Sequence, residues 1–302
     1  LLVKIISKDK KPLIDTKTAV PTGPTISISE EGIKAQNRTY QDLLKNPSDE
    51  HNFEQLTLAE LYKVNINGQK SLWKENDMYD DLSFSPNGNY ILITTIEKPF
   101  SYLVPYNRFP SKTSIYDTNG KLIKTILEVP LIEDLPQGFM AVRMGKRNLS
   151  WRDDKPATIT WCEALDEGNP EKEVEFRDEV FELNAPFNNS ATSIVKTIGR
   201  FAGITWGNEN TAIANDYWWN TRNTKSYVFN PSNNNIKPVI ISDRNYQDTY
   251  SDPGNFVTKR NEFGEYTLEL ASNKAYLIGD GYSEKGKFPF VDELNLQTLK
   301  TT

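Results

Sequence analysis

The chain has 302 residues, of which 25% are charged and 37% apolar, and it carries a formal net charge of −6. This composition excludes an intrinsically disordered chain, no apolar run approaches the ~18 residues of a membrane helix, and the acidic balance argues against a nucleic-acid surface, which needs clustered Lys and Arg. A single histidine, His51, and a single cysteine, Cys162, exclude His/Cys zinc sites and a disulfide within one chain. We expect neither a metal nor a cofactor.

The N-terminal segment predicts little regular structure. The chain begins at Leu1 without a Met or a signal peptide, as if it had been cut from a longer protein. Residues 7–31 are rich in Lys, Pro, Thr and Ser and predict a long surface loop. Residues 39–44 and 48–61 predict a short helical insertion, with Ser48 as the N-cap and Phe53, Leu56 and Leu61 as its apolar stripe.

A recurring unit predicts the rest of the fold. An aromatic-centred strand, a polar turn and a β-branched strand follow one another at residues 82–95, 149–161 and 204–213. Hairpin patterns with Asn, Asp or Gly turns follow these units, at residues 60–70, 113–123, 227–240 and 291–296. Four short antiparallel strands per repeat are typical of a propeller blade. We therefore predict an all-β fold, a single domain over residues 1–302 that holds about five of the roughly seven or more blades of an incomplete β-propeller.

Motifs of catalysis are absent from the sequence. The nearest match to the G-x-S-x-G nucleophile turn of a serine hydrolase, at residues 281–286, is one residue too long, and we interpret it as a loop between strands. No phosphate-binding loop or dinucleotide fingerprint occurs. The adjacent acids Asp153 and Asp154 lie in a predicted turn, where Asp bonds its own backbone. We therefore assign no catalytic residue to the chain.

Two groups of residues are candidates for substrate binding. Arginines gather in a short segment, with one more upstream, and could grip a carboxylate bidentately: Arg143, Arg147, Arg152 and Arg108. The alternative is a solvated loop balanced by Glu133 and Asp134. Trp218 and Trp219 are adjacent on a predicted strand, so core packing accounts for one, while the other faces outward and could line a pocket.

Several segments together resemble one family. They are KPFSYLVPYNRFP at residues 98–110, RTYQDLLKN at 38–46, LSWRDDKP at 149–156, GITW at 203–206 and DTYSDPG at 248–254. This collinear series, from about Arg38 to Pro289, resembles the glutamyl endopeptidase branch of the prolyl oligopeptidase family of serine peptidases. The resemblance covers the propeller portion only.

The resemblance implies an N-terminal β-propeller stacked on a C-terminal α/β-hydrolase domain with a Ser-Asp-His triad. In this family the propeller admits peptides rather than folded proteins, and the named branch is associated with cleavage after glutamate. The chain ends at Thr302 without the hydrolase segments, so we expect the fragment to be inactive, with the missing hydrolase domain and peptide substrates as its partners. Open edge strands could make the isolated fragment oligomerise. An exported or periplasmic location is favoured over a cytoplasmic one.

A different class of function remains open. A free-standing propeller could bind a protein or a small ligand without catalysis, as many propellers do. An open reading frame that continues for roughly another 250 to 300 residues would favour the peptidase. In the peptidase, the four arginines could select substrates with a glutamate side chain, because a buried carboxylate needs a cationic partner.

Overall fold

The computed structural model describes residues 1–15, 17–18 and 40–302. These residues form two compact units, unit 1 with residues 1–84 and 88–135 and unit 2 with residues 85–87 and 136–302. Within the described ranges, no helix has the length and the apolar character needed to cross a membrane.

The described residues of unit 1 form two antiparallel sheets and one α-helix. The first sheet has the order β1-β2-β3 and the second the order β4-β5-β6-β7. The elements are β1 (Leu2–Ile6), α1 (Pro47–Thr57), β2 (Ala59–Val64), β3 (Lys70–Asp77), β4 (Tyr79–Phe84), β5 (Tyr90–Ile96), a 3₁₀ turn (Tyr106–Arg108), β6 (Ser111–Asp117) and β7 (Leu122–Val129). Alternate residues of β2 and β5, among them Leu61, Ile91 and Ile93, form a common core with Tyr79, as expected for strands with one buried face.

The helical insertion is shorter than predicted. Helix α1 spans Pro47–Thr57, and its N-cap is Asn46, whose side chain accepts a hydrogen bond from the Asp49 amide at 3.0 Å. The prediction of Ser48 as the cap is wrong, because Pro47 already occupies a first-turn position, where a missing N–H costs nothing. Residues 40–46 are not helical, Thr39 lies outside the described residues, and residues 59–61 belong to β2.

The three residues of the predicted apolar stripe of this insertion lie in three different environments. Phe53 packs edge-on against Phe100 and Phe109 at ring-centroid distances of 5.1 and 5.6 Å, whereas Leu56 is exposed and Leu61 lies on β2. Of the predicted N-terminal loop, residues 7–15 and 17–18 contain neither helix nor strand, and the remainder lies outside the described residues.

Unit 2 begins with two four-stranded antiparallel sheets, with the orders β11-β10-β9-β8 and β12-β13-β14-β15. Their strands are β8 (Arg147–Trp151), β9 (Thr158–Ala164), β10 (Asp178–Asn184), β11 (Thr192–Thr197), β12 (Arg200–Asn208), β13 (Thr211–Trp218), β14 (Asn223–Phe229) and β15 (Val239–Asn245). Their buried faces share one core, which contains Cys162, Val180, Val195, Trp206 and Phe229.

The last part of unit 2 contains a five-stranded sheet with the order β16-β20-β23-β24, in which β19 also pairs with β20, and two short hairpins, β17-β18 and β21-β22. The strands are β16 (Asn255–Phe256), β17 (Thr258–Arg260), β18 (Tyr266–Leu268), β19 (Leu270–Ala271), β20 (Lys274–Gly279), β21 (Tyr282–Ser283), β22 (Gly286–Lys287), β23 (Phe290–Asn295) and β24 (Lys300–Thr301). Residues 281–286 thus form a hairpin, which agrees with the interpretation of this segment as a loop between strands.

The predicted all-β fold of propeller blades with a short helical insertion is confirmed. Apart from the two-stranded hairpins, the described residues form five antiparallel sheets, and in four of them neighbouring strands are consecutive in the chain, the arrangement of successive blades. The predicted hairpins at residues 60–70, 113–123 and 227–240 lie in three of these sheets. The repeat aromatics differ in burial, since Trp151 and Trp206 are buried and Phe84 is exposed.

Candidate functional site

Two aspartates organise a buried arginine cluster in unit 2. Asp166 follows β9, and Asp178 is the first residue of β10. Arg200, the first residue of β12, is 2% exposed, and it donates to both carboxylate oxygens of Asp166 at 2.8 and 2.7 Å and to Asp178 Oδ1 at 3.1 Å. Backbone amides also donate to these carboxylates, from Gly168 N to Asp166 at 3.0 Å and from Phe201 N to Asp178 at 2.8 Å.

Two more arginines share the same acids. Arg147 Nη2 lies 2.5 Å from Asp178 Oδ1, and Arg177 Nη1 lies 2.8 Å from Asp166 Oδ2. The Nε atom of Arg147 is buried without a hydrogen-bond partner. Three guanidinium groups therefore converge on two carboxylates, which leaves positive charge in excess.

Arg143 adds to this excess. Its guanidinium donates to the backbone oxygens of Met144, at 3.0 Å, and of Lys146, and carbonyl groups carry no net charge. Burial lowers the pKa of Arg143, and the neighbouring charge of Arg147 lowers it further, as expected for a guanidinium that is desolvated beside another cation. We call these four arginines and two aspartates the arginine network: Arg143, Arg147, Arg177, Arg200, Asp166 and Asp178.

A cleft of about 540 Å³ opens beside Arg177, within unit 2. The Arg177 guanidinium lies over the Trp218 ring, 4.1 Å from its centroid, a cation–π arrangement that holds both groups in place. We call this the Arg177–Trp218 cleft. Polar side chains form much of its wall, including Thr221, Asn223, Lys225, Asp243 and Asn245.

The acid in the cleft wall is neutralised locally. Asp243 accepts hydrogen bonds from Asn223 Nδ2 at 2.7 Å and from Lys225 Nζ at 2.9 Å. These two bonds hold the pKa of the Asp243 carboxyl below its ordinary value. Behind the wall, buried Asp216 accepts from the Tyr227 hydroxyl at 2.5 Å and from Gly199 N at 2.6 Å, and burial raises its pKa.

Three of the six candidate residues meet at this site. Arg143 and Arg147 belong to the arginine network, and Trp218 lines the cleft. Arg108 lies in unit 1, where its guanidinium is 5.2 Å from the Tyr40 ring centroid.

Arg152 lies in a second, closed arrangement. It is fully buried, donates to both oxygens of Asp154 at 2.9 and 2.6 Å and to Glu182, and lies 4.0 Å from the Trp206 ring centroid. Two carboxylates therefore occupy this single guanidinium. Its predicted role in binding substrate stays a prediction, and its contacts favour a structural role.

The two tryptophans do not divide between core and surface as predicted. Trp218 ends β13 and is half-buried, and Trp219 lies in the following turn, 38% exposed. The prediction that one of them packs in the core is wrong, because the strand ends between them and Trp218 packs against arginine. Trp219 contacts Phe139, with ring centroids 4.4 Å apart, and the Arg222 guanidinium at 3.7 Å.

The sequence interpretation missed Arg177, Arg200, Asp166, Asp178 and Lys225. A partial signal exists, because Asp178 and Arg200 are each the first residue of a strand rich in apolar residues. A charged residue at a strand start ordinarily indicates solvent, so the pairing across two sheets was not readable. In the part of the chain that the structure describes, no three His, Cys, Asp or Glu residues form a group that could hold a metal ion.

Two curated plant proteins are similar to this chain over nearly all of its length. The protein of Oryza sativa subsp. japonica named "Probable glutamyl endopeptidase, chloroplastic" is 34% identical over 289 residues, which cover 93% of this chain and 31% of the relative. A protein of the same name from Arabidopsis thaliana is 32% identical over 297 residues, which cover 96% of this chain and 30% of the relative. The chain thus spans about a third of the length of these relatives, and the resemblance inferred from its sequence is confirmed. No protein-family model matches it.

Solved structures with a similar backbone include peptidases. The β-propeller domain of the Trilobed protease from Pyrococcus furiosus matches 80% of this chain and 60% of its own at 9% identity, with a TM-score of 0.37. The Pyrococcus horikoshii acylaminoacyl peptidase matches 78% of this chain and 34% of its own at 9% identity, with a TM-score of 0.39. The fold described above follows from the sheets of this chain alone.

Proposed function

We propose that this chain is the β-propeller portion of a serine peptidase of the prolyl oligopeptidase family that cleaves peptides after glutamate. Over 93% of its length, the chain is homologous to a plant protein named "Probable glutamyl endopeptidase, chloroplastic". The homology is the observation that carries this proposal. The propeller restricts access to the catalytic serine and helps to select the substrate. The catalytic triad lies outside residues 1–302.

The arginine network supports the preference for glutamate. Three guanidinium groups share two carboxylates in it, and the fourth, that of Arg143, is bonded to carbonyl oxygens only. A substrate carboxylate near this excess is stabilised, whereas the isosteric amide of glutamine gains little. Removing one partner of a buried charge pair typically costs ~2–5 kcal/mol, enough for a strong preference.

The candidate residues take different parts in this proposal. Arg143 and Arg147 supply the excess positive charge, and Trp218 lines the adjacent cleft. Trp219 offers an exposed aromatic surface against Phe139. Arg108 and Arg152 do not belong to the arginine network, and their role in substrate binding stays a prediction.

The experiment uses the full-length protein that contains this chain. It compares the hydrolysis of two chromogenic peptides, one with Glu and one with Gln next to the chromophore. We expect the double variant Arg143→Gln/Arg147→Gln to lower the ratio of kcat/KM for Glu over Gln at least about tenfold, a difference of ~1.4 kcal/mol in transition-state binding. The matched control is Arg260→Gln, an exposed arginine on β17, which should leave the ratio unchanged.

Two results would contradict the proposal. One is a full-length protein that cleaves Gln and Glu peptides equally. The other is a purified 302-residue chain that hydrolyses the Glu peptide by itself, which would place the catalytic serine within it. Peptide binding without hydrolysis by the full-length protein would instead support the free-standing binding propeller.

A further inference from the structure

We propose that the Arg177–Trp218 cleft is a carboxylate-binding subsite for acidic peptides, and that Arg177 is the residue that contacts the carboxylate. Arg177 was not among the residues that the sequence singled out. The choice of a peptide as the ligand rests on the proposed function. The choice of a carboxylate rests on the charge and the geometry of the cleft.

The charge behind the cleft favours an anion. Asp166 is already held through both oxygens by Arg200, at 2.8 and 2.7 Å, and by the Gly168 amide. The carboxylate that Arg177 contacts therefore keeps its other partners when Arg177 binds a ligand. Arg143 and Arg147 add positive charge to the same network, and in a partly desolvated site this charge is only weakly screened.

Arg177 has the geometry for a bidentate contact. Its described hydrogen bonds both come from Nη1, to Asp166 Oδ2 at 2.8 Å and to the Lys172 backbone oxygen at 3.0 Å. A guanidinium has five N–H donors, and in residues 136–302 no described bond involves Nε or Nη2 of Arg177. Trp218 covers the guanidinium at 4.1 Å and fixes its plane. Such a planar fork matches a carboxylate better than a point charge does.

The rest of the wall suits a short peptide. Lys225 is a second cation in the wall. It forms an ion pair with Asp243, which also accepts a hydrogen bond from Asn223. Because Lys225 neutralises Asp243, the wall does not repel an incoming acid. Asn245 and Thr221 offer an amide and a hydroxyl, and Val174 and Ile198 add apolar surface. The volume of about 540 Å³ lies within the ~300–1,000 Å³ of small-ligand sites, which is room for an acidic side chain with its flanking residues.

The test measures binding to the 302-residue chain by titration calorimetry, without catalysis. The probes are acetyl-Ala-Ala-Glu-amide, the matched acetyl-Ala-Ala-Gln-amide, and inorganic phosphate. We expect the Glu peptide to bind at least about tenfold more tightly than the Gln peptide. Phosphate alone should compete only weakly, because it lacks the peptide's contacts with Trp218 and the asparagines. Competition by phosphate at the affinity of the Glu peptide would show a simple anion site and overturn the assignment to peptides.

Two variants locate the site. Arg177→Gln should weaken binding of the Glu peptide at least about tenfold and leave the Gln peptide nearly unchanged. Thr221→Trp fills the cleft from an exposed turn, where the substitution leaves the core intact, and it should weaken both peptides. Arg260→Gln, an exposed arginine that does not line the cleft, is the matched control and should bind like the parent chain.

The inference is overturned if the parent chain binds the two peptides equally, or if Thr221→Trp binds the Glu peptide as the parent does. The Thr221→Trp result decides the location even if Arg177→Gln fails to fold. The two proposals fail separately. Glu-selective binding without hydrolysis by the full-length protein would reject the peptidase alone, and Glu-selective hydrolysis without binding at the cleft would reject the subsite alone.

Discussion

Unit 2 contains two arginine clusters that differ in charge balance. At Arg152, one fully buried guanidinium meets Asp154 and Glu182, and Lys155 approaches Glu182 at 3.5 Å. Two cations thus face two acids. In the arginine network, three guanidinium groups share two acids, a fourth, that of Arg143, bonds only to carbonyl oxygens, and Arg177 borders a cleft. The balanced cluster is suited to stabilise the fold, and the unbalanced one is suited to bind an anion.

The largest expected difference between the two clusters is the loss of folding stability when an arginine is replaced. Replacing Arg152 by Gln leaves Glu182 and Asp154 buried without their main cation, and breaking such a pair typically costs ~3–5 kcal/mol. We expect the free energy of unfolding in urea to fall by about that amount. As a control, Lys155→Gln should cost less than about 1 kcal/mol, because the Lys155 side chain is 27% exposed and more distant. Equal effects of the two changes would refute the assignment of Arg152 as the principal partner.

An intermediate effect concerns Asp153, which adjoins the balanced cluster. Burial, with the charges of Glu265 and Asp154, raises the pKa of Asp153 to about 6. The folded chain therefore holds a proton that the unfolded chain has lost, and stability falls as the pH rises from about 4 to about 6.

Replacing Asp153 by Asn removes this penalty. We expect the variant to match the parent near pH 4 and to exceed it by about 1–2 kcal/mol at pH 7, after discounting for partial exposure. The measurement is urea unfolding across this pH range. A variant that loses stability relative to the parent as the pH rises would show that Asp153 has a cationic partner instead.

The smallest effect on stability is expected in the arginine network. Arg143→Gln removes a charge that is bonded to carbonyls only, so the free energy of unfolding should change by less than about 1 kcal/mol, in either direction. The same substitution thus gives a large loss at the fully buried Arg152 and almost none at the partly buried Arg143. A loss of several kcal/mol at Arg143 would show that its charge is balanced within the fold.

Local signals in the sequence predicted the strands and their turns well. The Asn-Gly pairs at Asn67-Gly68 and Asn119-Gly120 place glycines with φ of 77° and 83° at hairpin turns, where residues with a side chain are disfavoured. The helix start was misread because Asn46 and Ser48 are both good caps, and the position of Pro47 decides between them.

The site was only partly readable, for a physical reason. Arg143 and Arg147 are close in sequence, so they could be predicted to form a cluster. The acidic partner of Arg147, Asp178, lies two strands away in the same sheet, and Arg200 joins Asp178 from the next sheet. Whether an arginine ends in a balanced or an unbalanced cluster depends on such distant acids, so sequence could not separate Arg152 from Arg143.

The most direct test of this account is the ratio of kcat/KM for Glu over Gln peptides in the full-length protein that carries Arg177→Gln. In the proposed function, the propeller supplies the cation that recognises glutamate. We therefore expect the ratio to fall at least about tenfold, while kcat/KM for the Gln peptide stays within about twofold of the parent. An unchanged ratio in a folded variant would show that the cation lies elsewhere in the full-length protein, and would contradict the account.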